Sequence, residues 1–540
     1  MNTKITNHEI FSDKPEIKYS SWVPYEERKK IGQFFTPFQI AEFMSEWIIS
    51  NEKCKTILDP AVGLGVFFRA IVSKRGYEKY TFIGYDIDEN ILNRAKNIFN
   101  DISNININLE KMNYLFNDWV NQYDGIICNP PYLKFHDYEN KEILSAFEKK
   151  LKMKLTGFTN IYTLFFLKSM NQLSKGGRAA YIVPSEFLNA DYGKKVKEYL
   201  IKSEKLRYII IVDFKTNVFN EAITTSCILL FSNDKYNTDV EFINVKSADD
   251  LKQLEHYIKS YPICRKGRII IKSSELNPKE KWRKYYGKIN GGKYKNLVPF
   301  NIYAKVVRGI ATGANDYFTF SVSKIKKFNM DKKYLLPCLT KANYATKCFF
   351  TADHFNKLEN KDKPVFLLNA IDLDNSNIVE YLKMGEEKGI DKKYLTSHRN
   401  PWYAIENRPP APILVTVFSR NNGLRFIRNE AKVHNLTSFH CVYVHPLFVQ
   451  SVGLLMAYFL TDVAKEMFND EKREYGDGLD KFEPNDLNKA KVVNLDVIDQ
   501  KTKSRILEYY HVYRQKEVGN GNTAEMENRL NEIFYGLLRK

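Results

Sequence analysis

The chain has 540 residues, more than one hydrophobic core usually organises, so at least two domains are expected. Hydrophobic residues make up 44% of the chain and aromatic residues 14%, which excludes an intrinsically disordered protein. Lys and Arg number 82 against 64 Asp and Glu, and the net charge of +18 favours a polyanionic partner, with nucleic acid ahead of a membrane surface.

The seven cysteines are scattered and form no C-x-x-C pair. This pattern is typical of reduced core thiols and not of a disulfide framework or a zinc site. The N-terminus has no apolar targeting region, and the chain has no run of about 18 apolar residues. We therefore expect a cytoplasmic, nucleoid-associated protein with no metal and no membrane partner.

The first 50 residues predict one helix. Residues 1–30 are polar, and we expect them to be loosely held. Residues 31–50, IGQFFTPFQIAEFMSEWIIS, read as a loop followed by an amphipathic helix. Thr36 suits the N-cap of that helix and Pro37 its first position.

A strand and a glycine turn follow in KTILDPAVGLGVFF. Residues 56–58 predict a strand that Asp59 and Pro60 end, and Gly63-x-Gly65 predicts a turn into a helix near Val66. A lone G-x-G motif is weak evidence, but here it lies between a strand and a helix, as a dinucleotide-type turn requires. The carboxylate of Asp59 suits a cationic or amino-bearing ligand better than a pyrophosphate.

TFIGYDIDEN, some twenty residues later, predicts a second strand that ends in Asp86. An acidic side chain at this place can accept from both hydroxyls of a ribose, and Asp88 is the competing candidate. Together the two motifs predict an adenosine-containing cofactor on a Rossmann-like sheet. The alternative is that these glycines and aspartates only form turns.

The stretch DGIICNPPYLKF, residues 124–135, places polar acceptors at the end of another buried strand. Proline stops the strand, which leaves the side-chain oxygen of Asn129 and the carbonyl of Pro130 at the carboxyl edge of the sheet. Two converging acceptors can hold an amino group, and Tyr132 offers a face for a planar ring. The alternative is a proline turn that caps a core strand.

Alternating strands and helices continue to about residue 232, apart from residues 137–156, which read as loop-like. The alternation predicts an α/β, doubly wound, Rossmann-like sheet ending near residue 232. We assign residues 1–232 to this domain, 233–300 to a connecting segment, and 301–540 to an α+β domain with C-terminal helices.

Seven motifs occur in the order typical of one enzyme family: GQFFTP (32–37), LDPAVGLGVFF (58–68), IGYDID (83–88), IICNPPY (126–132), TNIYTLFFLKSM (159–170), GGRAAYIVPSEFLN (176–189) and VFNEAITTSCILLF (218–231). In this order they resemble the gamma subgroup of adenine-N6 DNA methyltransferases from type II restriction-modification systems. VVRGIATGANDYF, NPWYAIENRPPAP and YGDGLDKFEPNDL, within residues 300–490, also resemble the target-recognition regions of such enzymes.

The resemblance implies S-adenosylmethionine as the cofactor. Its methionine part would lie near Asp59 and the Gly63–Gly65 loop, and its ribose on Asp86. Thr36 would contact the cofactor from the first motif. Several relatives place an acidic residue on the cofactor adenine where this chain has Asn113, and Asp118 is the rival for that contact. The implied cofactor-binding set is Thr36, Asp59, Pro60, Ala61, Gly63, Gly65, Asp86, Ile87, Asn113 and Asn129.

The resemblance also implies methyl transfer to N6 of an adenine flipped out of duplex DNA. Asn129 and Pro130 would hold the target amino group, and Tyr132 and Phe219 would stack on the base. The implied catalytic set is Asn129, Pro130, Pro131, Tyr132 and Phe219. No covalent enzyme intermediate is needed, because the leaving group is a neutral thioether.

Double-stranded DNA is therefore the expected partner. Candidate contacts to it are Arg420, Arg425, Arg428, Trp282 and Tyr286, although a solvated basic face explains the arginines equally well. A cognate restriction endonuclease on a separate chain is a possible partner, and a monomer or weak dimer is expected.

Three other readings stay open: a protein glutamine methyltransferase, an RNA adenine methyltransferase, and a non-catalytic DNA-binding relic. A nicotinamide dehydrogenase is disfavoured because only two of three fingerprint glycines are present.

Overall fold

The computed structural model describes residues 9–74, 76–133, 141–157, 159–212, 225–236, 238–263, 269–287, 290–371, 373–420, 423–475 and 479–539. The chain forms two compact units. The first is Met1–Gly287 with Glu474–Asp477, and the second is Lys288–Arg473 with Gly478–Lys540.

One mixed sheet of nine strands organises the first unit. In chain order its strands are β1 (Thr56–Asp59), β2 (Thr81–Asp86), β3 (Asn106–Lys111), β4 (Tyr123–Cys128), β5 (Leu173–Pro184), β6 (Leu206–Val212), β7 (Ser226–Ser232), β8 (Val240–Val245) and β9 (Ile269–Ile271). Their order in the sheet is β3-β2-β1-β4-β5-β7-β6-β8-β9. The first five in this order are parallel, and β7 runs antiparallel to both its neighbours.

Helices cover both faces of this sheet. They are α1 (Lys14–Trp22), α2 (Tyr25–Lys30), α3 (Phe38–Ile49), α4 (Val66–Val72), α5 (Glu89–Phe99), α6 (Lys141–Leu151), α7 (Ile161–Gln172), α8 (Gly193–Ser203), α9 (Ala248–Lys259) and α10 (Arg283–Tyr286). Successive strand residues enter opposite cores, because side chains alternate along a strand. Ile57 and Ile127 pack with α3, α4, α5 and α9, whereas Leu58 and Ile126 pack with α6, α7, α8 and α10.

The predicted doubly wound sheet is confirmed, but it does not end near residue 232. β8 pairs with β6 and β9 pairs with β8, so part of the predicted connecting segment 233–300 belongs to the sheet. Every residue of β6 is buried, which requires a further strand and its helix to cover that edge.

Two segments expected to be loose form helices. The α6 helix lies within residues 137–156 and buries Ile143, Leu144 and Phe147, whose spacing forms one apolar face among charged residues. Within residues 1–30, α1 buries Tyr19 against Leu64.

The remaining strands are short: β10 (Leu297–Pro299), β11 (Ala304–Arg308), β12 (Thr319–Phe320), β13 (Leu335–Leu339), β14 (Phe349–Phe350), β15 (Phe366–Leu368), β16 (Ile413–Thr416), β17 (Phe418–Arg420), β18 (Phe426–Asn429), β19 (His434–Asn435), β20 (Phe439–Val444), β21 (Arg473–Tyr475), β22 (Leu479–Lys481) and β23 (Lys491–Val493). The largest sheet among them has five strands in the order β11-β20-β16-β18-β14.

The helices of the second unit are α11 (Asn315–Phe318), α12 (Val322–Lys327), α13 (Ala352–Asn360), α14 (Ser376–Glu387), α15 (Val452–Phe459), α16 (Asp462–Asn469), α17 (Pro484–Lys489), α18 (Gln500–Val518) and α19 (Ala524–Leu538). This mixture of short strands and helices, ending in two long helices, confirms the predicted α+β character of the C-terminal half.

Within the described ranges, no single helix is both long and apolar enough to cross a membrane. Residues 446–459 and 462–469 meet that measure only as a pair, and the pair is bent by 89°.

Candidate active site

Four neighbouring parallel strands end at one edge of the first unit's sheet. In the order β3-β2-β1-β4, the residues at or just after their carboxyl ends are Asn113, Asp86, Asp59 and Asn129. Carboxyl ends of parallel strands bind ligands in open α/β sheets because the loops there leave a crevice. The strand order therefore brings four predicted site residues from separate motifs into one row.

A cavity of about 230 Å³ lies over this edge. Its walls come from the segment before α3, the turn after β1, the ends of β2 and β3, and the Asn129 motif. The predicted residues that line it are Thr36, Asp59, Pro60, Ala61, Gly63, Asp86, Ile87, Asn113, Asn129 and Pro131.

Several buried polar atoms of the lining residues have no hydrogen-bond partner among the described residues. They are Glu16 Oε2, Gln33 Oε1, Thr36 Oγ1, Asp59 Oδ2 and Asn129 Oδ1. Leaving a buried polar atom unsatisfied costs about 1–3 kcal/mol, so several around one cavity point to a ligand that completes them. All five can accept a hydrogen bond, which favours a ligand rich in donors.

Two carboxylates of the cavity, those of Asp59 and Asp86, are held by backbone N–H groups. Asp59 Oδ1 accepts from Ala61 at 3.1 Å. Asp86 accepts from Gly63 through Oδ2 and from Asp88 through Oδ1, each at 2.9 Å. Burial raises the pKa of Asp59 well above its usual range and also raises the pKa of Asp86.

The glycine turn after β1 takes the backbone shape that its sequence predicts. Gly65 has φ +73° and is the residue before the first turn of α4, which begins at Val66 as predicted. A side chain there would meet the Phe99 ring at 2.5 Å. Only glycine satisfies both conditions, so Gly65 shapes the turn from behind the cavity.

Thr36 lies in the cavity wall, but its predicted capping role is wrong. The α3 helix begins at Phe38 with Pro37 as its N-cap residue, and no side chain caps it. Instead the Phe38 N–H donates to Asp13 Oδ1 at 2.6 Å. This outside acceptor leaves the buried Thr36 hydroxyl, 2% exposed, available to a ligand.

Asn129 is oriented by one hydrogen bond. Its Nδ2 donates to the carbonyl of Phe34 at 2.7 Å, and that acceptor fixes which end of the amide is nitrogen. The opposite atom, Oδ1, is buried without a partner among the described residues. The motif thus presents a single oriented acceptor at the end of β4.

Tyr132 is held against the same N-terminal segment. Its N–H donates to the Gly32 carbonyl at 2.9 Å, and its half-buried ring stacks on Phe34 with centroids 5.5 Å apart. Gly32 has φ +69°, and a side chain there would come within 2.7 Å of the Tyr132 nitrogen. Pro130 is buried, while Pro131 reaches the cavity.

The competing candidates differ in position. Asn113 lines the cavity and also accepts from the Leu115 N–H at 3.1 Å, whereas Asp118 binds its own turn through the N–H groups of Val120 and Asn121. Asp88 also lines the cavity, but one of its oxygens caps α5.

Trp282 and Tyr286, predicted to contact DNA, are instead part of the first unit's core. Trp282 is fully buried, its indole N–H donates to the Asn277 carbonyl at 3.0 Å, and its ring packs edge-on against Phe242. Tyr286 is 9% exposed and its hydroxyl accepts from Asn189 at 2.9 Å. The basic residues around them in the sequence suggested a surface that the tertiary fold does not form.

The predicted arginines lie in or beside β17 and β18. Arg425 donates to the Thr346 carbonyl at 3.0 Å and Arg428 to the Pro412 carbonyl at 2.8 Å, and both are half-buried. These bonds give both side chains a structural role. The side chain of Arg420 and all of Phe219 lie outside the described residues.

Gln33 and Glu16 are among the polar residues of the cavity that sequence reasoning missed. Gln33 lies inside the GQFFTP motif, where its position between Gly32 and Thr36 could have indicated a role. Glu16 belongs to α1 and has no motif around it, so no sequence signal could have identified it.

Two family models match this chain. Residues 7–274 match N-6 DNA Methylase, and residues 280–526 match Type II methyltransferase M.Eco57I, C-terminal domain.

The chain is also similar to individual proteins. Type II methyltransferase M.AccI of Acinetobacter calcoaceticus is 51% identical over 98% of this chain and 98% of its own. Type II methyltransferase M.XamI of Xanthomonas campestris pv. amaranthicola is 21% identical over 86% of each chain. Among solved structures, a DrdV–DNA complex determined by cryo-electron microscopy matches 95% of this chain and 60% of its own with a TM-score of 0.59. At 12% identity this likeness shows a shared fold.

Proposed function

The chain belongs to the type II DNA adenine-N6 methyltransferases of restriction-modification systems, and we propose that its cavity binds S-adenosylmethionine beside an amino-group site at Asn129. The observation that carries this proposal is Asn129 Oδ1, which has no hydrogen-bond partner in the described part of the chain and is oriented by the Phe34 carbonyl at the edge of that cavity. We further propose that the chain falls in the gamma subgroup, because its cofactor motifs precede the Asn129 motif.

The polar atoms of the cavity fit this cofactor. S-adenosylmethionine carries donors along its length: an ammonium group, two ribose hydroxyls and an adenine amino group. Asp86 retains lone pairs beyond its two backbone bonds and can accept from the ribose. Asn113 can pair with the adenine edge, and Ile87, 61% exposed, offers the ring an apolar contact.

The other end of the cavity suits the methionine part. Asp59 and Thr36 place two oxygens there, next to the turn that follows β1, and neither oxygen has a hydrogen-bond partner among the residues that the structure describes. When bound, the cofactor supplies an electrophilic methyl group carried on a sulfonium. Asn129 then positions the amino group that receives it, and its oriented acceptor acts through placement alone.

The target base must leave the duplex to reach Asn129, because stacking hides its amino group. The half-buried Tyr132 ring, held by Phe34, offers a stacking face close to Asn129. Phe219 remains the predicted second stacking residue. Stacking on aromatic rings would offset part of the extrusion cost, at roughly 1–3 kcal/mol per base.

The second unit is proposed to read the DNA sequence. Residues 280–526 match the C-terminal domain of a type II methyltransferase, and the net charge of +18 favours a phosphate backbone as the partner. DNA-modifying relatives argue against an RNA or glutamine substrate. A cognate endonuclease that recognises the same site, and a monomeric or weakly dimeric state, belong to this proposal.

Methyl transfer by an Asn129→Ala variant tests the proposal. We expect incorporation of labelled methyl groups into unmodified duplex DNA to fall on the order of 100-fold or more, because an oriented acceptor is lost. Affinity for S-adenosylhomocysteine should change little. The control is Asn121→Ala, which removes an exposed side chain that donates to Asp118 and should retain activity. Near-normal transfer by Asn129→Ala would remove Asn129 from the site.

A further inference from the structure

The two oxygens of the Glu16 carboxylate differ: one is paired, and the other has no partner within the described ranges. It lies on α1, is 5% exposed, and lines the cavity. Oε1 pairs with the Arg69 guanidinium, while Oε2 is buried with no hydrogen-bond partner among the described residues. A carboxylate that only anchored α1 would gain about 1–3 kcal/mol by satisfying its second oxygen inside the fold.

The side chain is held in place from behind. Arg69 is fully buried and also donates to the carbonyls of Ile10 and Ser12, which fixes its guanidinium between α4 and the segment before α1. Asp13 joins the same segment to the start of α3 through the Phe38 N–H. Glu16 therefore faces the cavity from a rigid support.

The position of Glu16 indicates which part of the cavity it contacts. Arg69 lies on α4, directly after the turn that follows Asp59, and Phe38 directly follows the Thr36–Pro37 pair. Glu16 thus approaches from the side of β1. Asp86 and Asn113 lie at the ends of β2 and β3, farther along the edge.

We infer that Glu16 binds the α-ammonium group in the methionine part of S-adenosylmethionine, as a cofactor contact contributed by the N-terminal helix. The inference rests on the proposed function. An ammonium group is a strong donor for a carboxylate, and the bond is charge-assisted. Arg69 compensates the charge of Glu16, and Oε2 can accept from the ligand.

Equilibrium binding of three ligands to the full-length protein tests this. S-adenosylmethionine and S-adenosylhomocysteine both carry the α-ammonium group, whereas 5′-methylthioadenosine lacks the amino-acid part. For Glu16→Gln we expect the first two to bind roughly 10- to 100-fold more weakly, the range for a hydrogen bond to a charged group, and the third to bind unchanged. Gln retains an oxygen for Arg69, so α1 should stay anchored.

The matched control is Asp86→Ala, which should weaken the binding of all three ligands because all three contain the ribose. If Glu16→Gln weakened the binding of 5′-methylthioadenosine as much as that of the other two ligands, Glu16 would have a structural role and the inference would be overturned. If only S-adenosylmethionine bound more weakly, Glu16 would contact the sulfonium and the inference would be overturned. Unchanged affinity for all three ligands would overturn the inference as well. If Glu16→Gln does not fold, the same ligand ratio measured in Glu16→Asp decides between these outcomes.

The two proposals fail in distinguishable ways. A wild-type protein that binds none of the three ligands contradicts the cofactor assignment itself. A wild-type protein that binds all three, with an unchanged ratio in the variant, contradicts only the role of Glu16.

Discussion

Tyr132 and Trp282 are aromatic residues that the sequence placed in DNA-facing motifs, yet their surroundings differ. The Tyr132 ring is half-buried, stacked on Phe34, and belongs to the motif that ends at the cavity. Trp282 is fully buried against Phe242 and its N–H is satisfied by a backbone carbonyl. A buried ring with its donor satisfied stabilises a fold, and a partly open ring can still meet a ligand.

The same contrast separates Asn129 from Arg428. The Asn129 amide donates a hydrogen bond to the Phe34 carbonyl, and its buried oxygen has no partner among the described residues. Arg428 lies in a paired strand, and its guanidinium donates to the Pro412 carbonyl. The residue type alone distinguishes neither case, because both side chains can serve binding or structure. Spare hydrogen-bonding capacity at a cavity is the sharper mark of function.

The largest expected effect is on stability, in Trp282→Ala. Removing a buried Trp costs about 3–5 kcal/mol, so thermal unfolding of the first unit should occur at a clearly lower temperature. The control Tyr236→Ala removes an aromatic ring that is 73% exposed and should stay within about 0.5 kcal/mol. If the Trp282→Ala protein were stable but bound DNA more weakly, Trp282 would contact DNA and would not be a core residue.

Asp86→Ala should weaken cofactor binding next most strongly. A hydrogen bond to a charged group is worth about 1.5–3 kcal/mol, so calorimetry should show the Kd for S-adenosylhomocysteine rising roughly 10- to 100-fold or more. Asp88→Ala is the matched control. It removes a helix cap worth about 1 kcal/mol of stability and should leave the Kd unchanged. The reverse pattern would transfer the ribose contact to Asp88.

Tyr132→Ala should weaken base extrusion by roughly 1–3 kcal/mol, the worth of one base–aromatic contact. The measurement is 2-aminopurine fluorescence from a duplex carrying it at the target adenine. Tyr132→Phe keeps the ring and loses the hydroxyl that donates to the Ile182 carbonyl at 3.3 Å, so it should give nearly the wild-type signal. Phe219→Ala should reduce the signal as well. If the 2-aminopurine fluorescence were unchanged in Tyr132→Ala, Tyr132 would position Phe34 and would not stack on the base.

The smallest effect is a pH dependence of cofactor affinity. Burial raises the pKa of Asp59 in the ligand-free fold, whereas a bound donor-rich ligand favours the ionised form and lowers it. Binding is therefore strongest above the ligand-free pKa and weakens as pH falls through it, by up to about tenfold per pH unit. Calorimetry across pH should show this loss, and Asp59→Asn should flatten it. A flat wild-type profile would mean that Asp59 does not titrate with binding.

The sequence by itself determined the sheet and most of the cavity. Asp59 and Asp86 end short strands and Asn129 follows one, and parallel strands bring such residues to one edge whatever surrounds them. Gly65 was predictable for the same local reason, because its turn admits no side chain. These features depend on a few neighbouring residues, so a single motif is enough to specify each of them.

Only the tertiary structure decided which atoms remain available. Asn129 is oriented by Phe34, 95 residues away, and Glu16 reaches the cavity through Arg69, 53 residues away. Trp282 is buried because β8 extends the sheet beyond the predicted end and supplies Phe242. Long-range packing consumes some donors and acceptors and leaves others unsatisfied, and no local pattern records that outcome.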